Sequence, residues 1–561
     1  MKKFLLLLTL CVLLLGVLPG AALAASVEDL TALASYYPAD TVVFAAIRSD
    51  AAYLETLNGL LTRIERRTDS PIMTIEDMLN QSLSVNNLSF EDDIRPWLGD
   101  SIALGVRDLN SRFSPGFMIA VDVTDNAALA ALLDNAAQDS SSGEEYTQYE
   151  FDGAVLRLYG NVLLVSQTEQ MLDDAAEGDR LSDSEDFSAT LALLPEPDYN
   201  AVIYLQTNEI MDLLREQMAA QAAQTGMDLA MFDQFNVAGS EAVGLTVIND
   251  LGFAIDIAAR PAEEVNPDFA PATDSAPLDL GFAARVPAGA WLYMQDTNFG
   301  DDVRRSINLL AFVMEMGIDQ QVAQSMARGQ QIPAFLDQLD RNDVRAFINL
   351  AFAGFTGLNF ENDVLANLDG NIAMYLGLVE NEELGYAPEM GVVAEMDGDA
   401  SQHIFDSLQN ALNQYEANFS VEGNVITIPS PARLMAPSDA DIPELDNPAL
   451  DLLLGYNDEV FAAGTRTAVQ FSLDPGDASL ATNPNFVAAQ DYFLPDAETL
   501  LFADLAPVIR FIDDEVASQA SQYGNDALKV LSLFDSASIT SRVDDDGTAL
   551  ARAVIVLHPA E

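Results

Sequence analysis

The stretch Leu88–Leu104, LSFEDDIRPWLGDSIAL, recurs at Leu358–Met374 as LNFENDVLANLDGNIAM. Aligned without gaps, the two keep Leu88/Leu358, Phe90/Phe360, Glu91/Glu361, Asp93/Asp363, Leu98/Leu368, Ile102/Ile372 and Ala103/Ala373. Each reads as a capped helix, a stop and a strand. Ser89 stands at an N-cap with Asp92 three residues on, Phe90, Ile94 and Leu98 share one apolar face, and Gly99 ends the helix. Acids in a first helical turn favour its positive end, so Glu91, Asp92 and Asp93 read as part of a packing element and not as an active-site signature.

Further matches follow in the same order on either side. Met118–Val123 with Asp125 answers Gly391–Met396 with Asp399, Tyr159–Thr168 answers Tyr456–Thr465, and Phe187 with Leu194-Pro195 answers Phe486 with Leu494-Pro495. The offset between partners grows along the chain, as insertions in loops make it. The sequence therefore predicts an α+β chain of two tandem homologous domains, each an antiparallel or mixed β-sheet with helices mainly on one face. They are placed at 25–260 and 278–561, joined by a Pro, Ala and acidic linker at 261–277, with a Pro-rich insertion at 429–448 in the second. A strand at Gly281–Val286 is expected to open the second domain, and a hairpin of Ser538–Val543 and Leu550–Leu557 to close it.

Residues 1–24 read as a secretory signal peptide: Lys2 and Lys3, the apolar run Phe4–Leu18, then Ala22-Leu23-Ala24. The run is short for a permanent span, which needs about 20 apolar residues. An exported protein, extracellular or in the cell envelope, is expected, with an uncleaved anchor as the alternative. Cys11, the only cysteine, lies in that run. The mature chain then holds none, which excludes disulfides, thiolate metal sites and cysteine nucleophiles.

Against 88 Asp plus Glu stand 25 Lys plus Arg, a formal net charge of −63. Such a surface repels phosphate backbones and anionic headgroups, so no nucleic acid and no anionic membrane surface is expected as a charge-driven partner. A divalent cation or a basic protein partner suits it, and so does simple solubility.

The signal peptide, the opening YYPADTVVFAAI at 36–47, the repeated LSFEDDIRPWLGDSIAL element and the overall length together resemble the secreted bacterial proteins grouped as domain of unknown function 3352. The resemblance covers essentially the whole mature chain. It implies an exported bacterial protein and carries no activity and no catalytic residue.

The residue types that do chemistry are scarce. The two histidines are His403, in the first turn of a helix, and His558, at the end of the last strand; both read as surface residues. Lys529 is the only lysine beyond Lys2 and Lys3 and sits on an amphipathic helix. Arg63, Arg66 and Arg67 read as the cationic end of a helix. No G-x-S-x-G elbow, phosphate loop or dinucleotide fingerprint is present. No catalytic or cofactor-binding residue is assigned, and no cofactor is expected.

The acidic turns Asp397-Gly398-Asp399 and Asp544-Asp545-Asp546-Gly547 make Asp397, Asp399, Asp544 and Asp546 weak calcium candidates. They lack EF-hand spacing and read better as a helix cap and a hairpin turn. Met and Phe gather in helical stretches (Met211, Met218, Met227, Met231; Phe312, Met314, Met316). Core packing is the default for that pattern; the sharper reading is an apolar pocket, between sheet and helices, for a lipid-like ligand. A non-catalytic binding or interaction role follows, with an apolar-ligand carrier and a calcium-assisted adhesion or scaffold protein as its concrete forms. A hydrolase using two carboxylates is the competing class.

Overall fold

The computed structural model describes residues 24–557 apart from 69–70, 72, 85–87, 109–115, 152, 213–237, 249–251, 263–274, 328–340, 382–384, 431–446 and 516–531. The signal-peptide residues 1–23, most of the linker 261–277 and most of the Pro-rich stretch 429–448 lie outside the described residues. What is described falls into two compact units, the first holding residues up to 212, 238–262 and 548–557, the second residues 275–547.

The first unit is built on strands β1 (Val43–Arg48), β2 (Leu98–Asp108), β3 (Gly116–Val123), β4 (Asp139–Ser142), β5 (Thr147–Phe151), β6 (Ala154–Tyr159), β7 (Val162–Ser166), β8 (Ala201–Leu205), β9 (Ala238–Ile248) and β10 (Gly252–Pro261). They pair in the order β4-β5-β6-β7-β3-β2-β1-β8-β9-β10, every pair antiparallel. Both faces are covered. Helices α1 (Ala51–Thr68), α2 (Ile75–Ser84) and α3 (Asn126–Ala136) bury Leu54, Leu57, Leu79 and Leu129 against Ile47, Ile102, Ile119 and Val121. On the opposite face α4 (Glu169–Glu177) packs on β3 and β7, and α5 (Glu185–Leu191) on β9, with Phe44, Phe187 and Tyr204 in edge-to-face contact. Helices mainly on one face were expected; in this unit they cover two. The reason is visible in β3 and β7, which are apolar at both parities: Met118, Ile119, Ala120 and Val121 are all buried, as are Val162–Ser166.

The second unit contains β11 (Ala290–Asp296), β12 (Ile372–Asn381), β13 (Gly385–Glu395), β14 (Ser420–Glu422), β15 (Val425–Ile428), β16 (Leu452–Tyr456), β17 (Val460–Thr465), β18 (Thr499–Asp504) and β19 (Phe534–Val543). Their order is β14-β15-β16-β17-β13-β12-β11-β18-β19, again antiparallel throughout. One face packs under α9 (Arg466–Leu473) and α10 (Pro484–Gln490), where Tyr293, Tyr375, Val393, Phe486 and Phe502 form the core. Where a strand was expected at Gly281–Val286, residues Leu280–Arg285 are a 3₁₀ helix capped by Asp279, whose side chain accepts from the Gly281 N–H. Its Phe282 and Ala283 are buried in that same core.

The last strand, β20 (Ala549–Leu557), falls within 278–561 by sequence, yet it pairs with β10 and counts with the first unit. Asp256 and Arg552 are register partners there. The Arg552 guanidinium donates Nε to Asp256 Oδ1 at 2.6 Å and Nη2 to Oδ2 at 3.0 Å, while Tyr199 Oη donates to the same carboxylate at 2.9 Å. Asp256 is wholly buried, so this bidentate pair fixes the register of the added strand.

The repeated stretch does not form two ordinary α-helical turns. Phe90–Ile94 and Phe360–Val364 are single π-turns. Ser89 Oγ accepts from Asp92 N–H and Asp93 returns the bond by accepting from Ser89 N–H at 2.7 Å; Asn359 and Asp363 repeat this, again at 2.7 Å. Trp97 Nε1 and Asn367 Nδ2 each donate to the carbonyl of that returning aspartate. Asp93 and Asp363 are thus kept as hydrogen-bond partners, a stronger reason than the helix dipole.

Candidate functional site

An antiparallel sheet with one covered face ordinarily turns polar side chains outward on the other. The second unit departs from this. Across the register, Val392, Met374, Met294, Leu501 and Ile539 stand directly opposite one another on β13, β12, β11, β18 and β19. Two residues along the strands a second row runs Met390, Leu376, Leu292, Ala503 and Ala537. All ten side chains are apolar, and none is buried. Ile539 is 47% exposed, Met390 46% and Leu376 38%. Five strands at about 4.8 Å give the rows a run of about 19 Å.

Neighbouring elements bound this face without closing it. At one corner Met396 and Phe461 pack with Leu358 and with Ile404 of α8 (Gly398–Gln414). At the far end the Phe511 ring of α11 (Leu505–Glu515) meets Tyr386 edge-on at 5.4 Å, and α11 packs against β11 and β19. The excursion between β11 and β12 carries α6 (Phe299–Ala327) and α7 (Arg341–Thr356), packed on each other, with Leu310 and Met314 about half exposed and Phe347, Leu350 and Phe355 about 70% exposed. The corresponding excursion of the first unit, α1 and α2 between β1 and β2, is what buries its face. Scattered exposed apolar residues need no explanation, but a contiguous tract does.

A third row limits the tract. Asp296 stands opposite Thr499, and Thr499 opposite Ser541, whose hydroxyls are 2.5 Å apart. Asp296 is 8% exposed and accepts from the Asn298 N–H at 2.6 Å. Burial first of all pushes its carboxyl up to about 6, against the pull of that N–H, and the nearby carboxylates Asp302 and Glu498 push the same way.

The acidic turns sit elsewhere. Asp397 caps α8, accepting from Asp399 N–H at 2.8 Å, and lines a cleft of about 680 Å³ with Asp279, Asp369, Glu395, Asp458 and Arg285. Asp544 pairs with Arg542 at 3.1 Å and accepts from Gly547 N–H; with Asp546 and Glu498 it borders a cleft of about 560 Å³. Among the described residues no group of three Asp, Glu, His or Cys is close enough to hold a metal ion. His403 is exposed, 3.9 Å from Asp363. His558, Lys529, Met218, Met227 and Met231 lie outside the described residues, as does the side chain of Met316. Phe312 is buried, Met314 exposed and Met211 half-buried.

The sequence profile of the family described as "Protein of unknown function (DUF3352)" matches residues 4–557. The chain belongs to this family. No curated protein matches this DUF3352 chain. A solved structure, crystal form I of TP0453, is similar at a TM-score of 0.24 with 12% identity over 43% of this chain and 82% of that one. A likeness that weak carries no argument. No helix among the described residues of the DUF3352 protein is long and apolar enough to cross a membrane.

The Met- and Phe-rich helices point in sequence to an apolar pocket between sheet and helices, whereas the apolar rows lie on the strands themselves. Their signal is a double-parity apolar strand, as in IAMYLGLV at 372–379 and TLLFA at 499–503, which reads as a fully buried strand.

Proposed function

We propose that the protein is an exported, non-catalytic carrier of an apolar, lipid-like ligand, taken up on the open sheet face of the second unit. The observation that carries this reading is the pair of apolar rows through Met294 and Leu376, in which no charged or polar side chain interrupts ten neighbouring positions. The polar side chains Asp296, Thr499 and Ser541 at one end of the apolar rows support an amphiphile as occupant. Each methylene laid on the face gains about 0.8 kcal/mol. A chain of about a dozen methylenes then outweighs an association cost of roughly 4 kcal/mol or more.

The two units serve one another in this reading as tandem copies. Their shared strand order, β7-β3-β2-β1-β8-β9 against β17-β13-β12-β11-β18-β19, supports a duplication, and so do the matching π-turns at Ser89 and Asn359. One copy closed its face and became scaffold, while the other kept it open. The leader-like residues 1–24 and the net charge of −63 support export into an aqueous compartment.

The test is extraction of purified full-length protein into organic solvent followed by mass spectrometry, beside the variant Leu501→Asp. Near-stoichiometric lipid from the wild type and little from the variant is expected. A lipid-free wild type that self-associates through this face, or lipid retained equally by the variant, contradicts the reading.

A further inference from the structure

Asp296 is a buried carboxylate outside the apolar core of the second unit. Along β11 the side chains alternate: Tyr293 and Gln295 turn to the covered face, where Tyr293 Oη donates to Gln295 Oε1 at 2.7 Å, while Leu292, Met294 and Asp296 turn to the open one. Asp296 therefore continues the line of the apolar tract and ends it. Thr499 and Ser541, its neighbours across β18 and β19, occupy the equivalent places on their strands, directly after Leu501 and Ile539 on the same face. On β11, β18 and β19 one carboxylate and two hydroxyls thus border the apolar tract, while Ile372 and Ala394 keep the same row apolar on β12 and β13.

We infer that Asp296, Thr499 and Ser541 form the head-group end of this face and select an amphiphile whose head donates hydrogen bonds, such as a primary amine, over one with an anionic head. The inference rests on the carrier reading and sharpens it to a ligand class. A carboxylate accepts and cannot donate when ionised, so a phosphate or carboxylate head placed beside it meets repulsion. The groups facing Asp296 add to that selection: Asp302 from the first turn of α6, itself paired with Arg305 at 3.2 Å, and Glu498 just ahead of β18. Asp296 already accepts from the Asn298 N–H and shares a hydrogen bond with the Asp302 carboxyl, so the pair together presents acceptor oxygens and no fixed donor to a ligand head. An amine head is held best when Asp296 is ionised, so its preference grows as the pH rises past about 6.

The experiment is a competition assay on the full-length protein with dodecylamine and dodecanoate, which share one chain length, displacing a neutral fluorescent probe at pH 5 and pH 7.5. At pH 7.5 dodecylamine is expected to bind at least tenfold more tightly than dodecanoate, with a smaller ratio at pH 5. Asp296→Asn should cut the ratio several-fold, as should Thr499→Val to a lesser degree if the first variant folds poorly. Glu422→Gln, at an exposed acid on the far edge strand β14, removes the same charge and should leave the ratio unchanged. Equal binding of the two amphiphiles, or an Asp296→Asn ratio like the wild type's, overturns the head-group assignment while the apolar face stands. Binding of neither overturns both.

Discussion

Met294 and Leu501 face each other across adjacent antiparallel strands, at the middle of a row that continues through Met374 and Val392 on one side and Ile539 on the other. An apolar pair at directly opposed positions is ordinary inside a sheet sandwich. Here Leu501 and Ile539 stay 37% and 47% exposed, although the same strand order in the first unit carries α1 and α2 over its counterpart.

Charge placed in this row should abolish ligand uptake without unfolding the protein. Leu501 is 37% exposed, so Leu501→Asp gives up only part of a core leucine's burial, about 1–2 kcal/mol. A thermal melt within about 6 °C of wild type, together with at least a tenfold loss of probe affinity, is the expected outcome; a larger drop in melting temperature would mean that the face is core.

The Asp256–Arg552 pair makes a different prediction, about the strand that β10 receives from the far end of the chain. Arg552→Met leaves a wholly buried carboxylate with Tyr199 as its remaining neutral donor, and should cost about 3–5 kcal/mol in urea denaturation. The double change Asp256→Leu with Arg552→Met should recover most of that loss, because no charge is then stranded.

Stability should also depend on pH through Asp296. Its folded carboxyl titrates at about 6 and an unfolded one at 3.8, so between those values the folded chain holds a proton that the unfolded chain has released. The contribution is complete below about pH 4 and is lost as pH rises through 6, up to roughly 3 kcal/mol for two pKa units. Asp296→Asn should flatten that part of the profile and raise the urea midpoint at pH 7.5. An unchanged profile would show that Asp296 ionises freely.

Gly105 is the packing test of the first unit. A Cβ there would lie 2.2 Å from the Tyr37 ring, whose hydroxyl donates to Ala103 C=O at 2.8 Å and accepts from Ala120 N–H at 3.0 Å. Gly105→Ala should therefore destabilise by about 1–3 kcal/mol, read from the calorimetric transition.

Much of the α+β architecture was legible because it is local. The strands at 116–123 and 162–166 and the cap at Asp125 lie where the sequence put them, while the cap expected of Asp399 falls to Asp397. Long-range choices were not legible. Nothing in Ala549–Leu557 says that it pairs with β10, because an alternating strand carries no address. Gly281–Val286 looked like a strand since four apolar residues in six fit either period, and the Asp279 cap decided for a 3₁₀ turn at Leu280–Arg285. The open face was hidden for a related reason: a strand apolar on both sides predicts burial on both, and only the exposure of Leu376, Met390, Leu501 and Ile539 shows where one side stays accessible.

The central claim is tested most directly by counting ligand on the folded protein. Titration with Nile red, a neutral apolar dye, should saturate near one dye per chain in the wild type. The double variant Met294→Asp with Leu501→Asp, if it retains a native melting transition, should show no saturable site. Saturable binding of equal affinity in that variant would contradict the account.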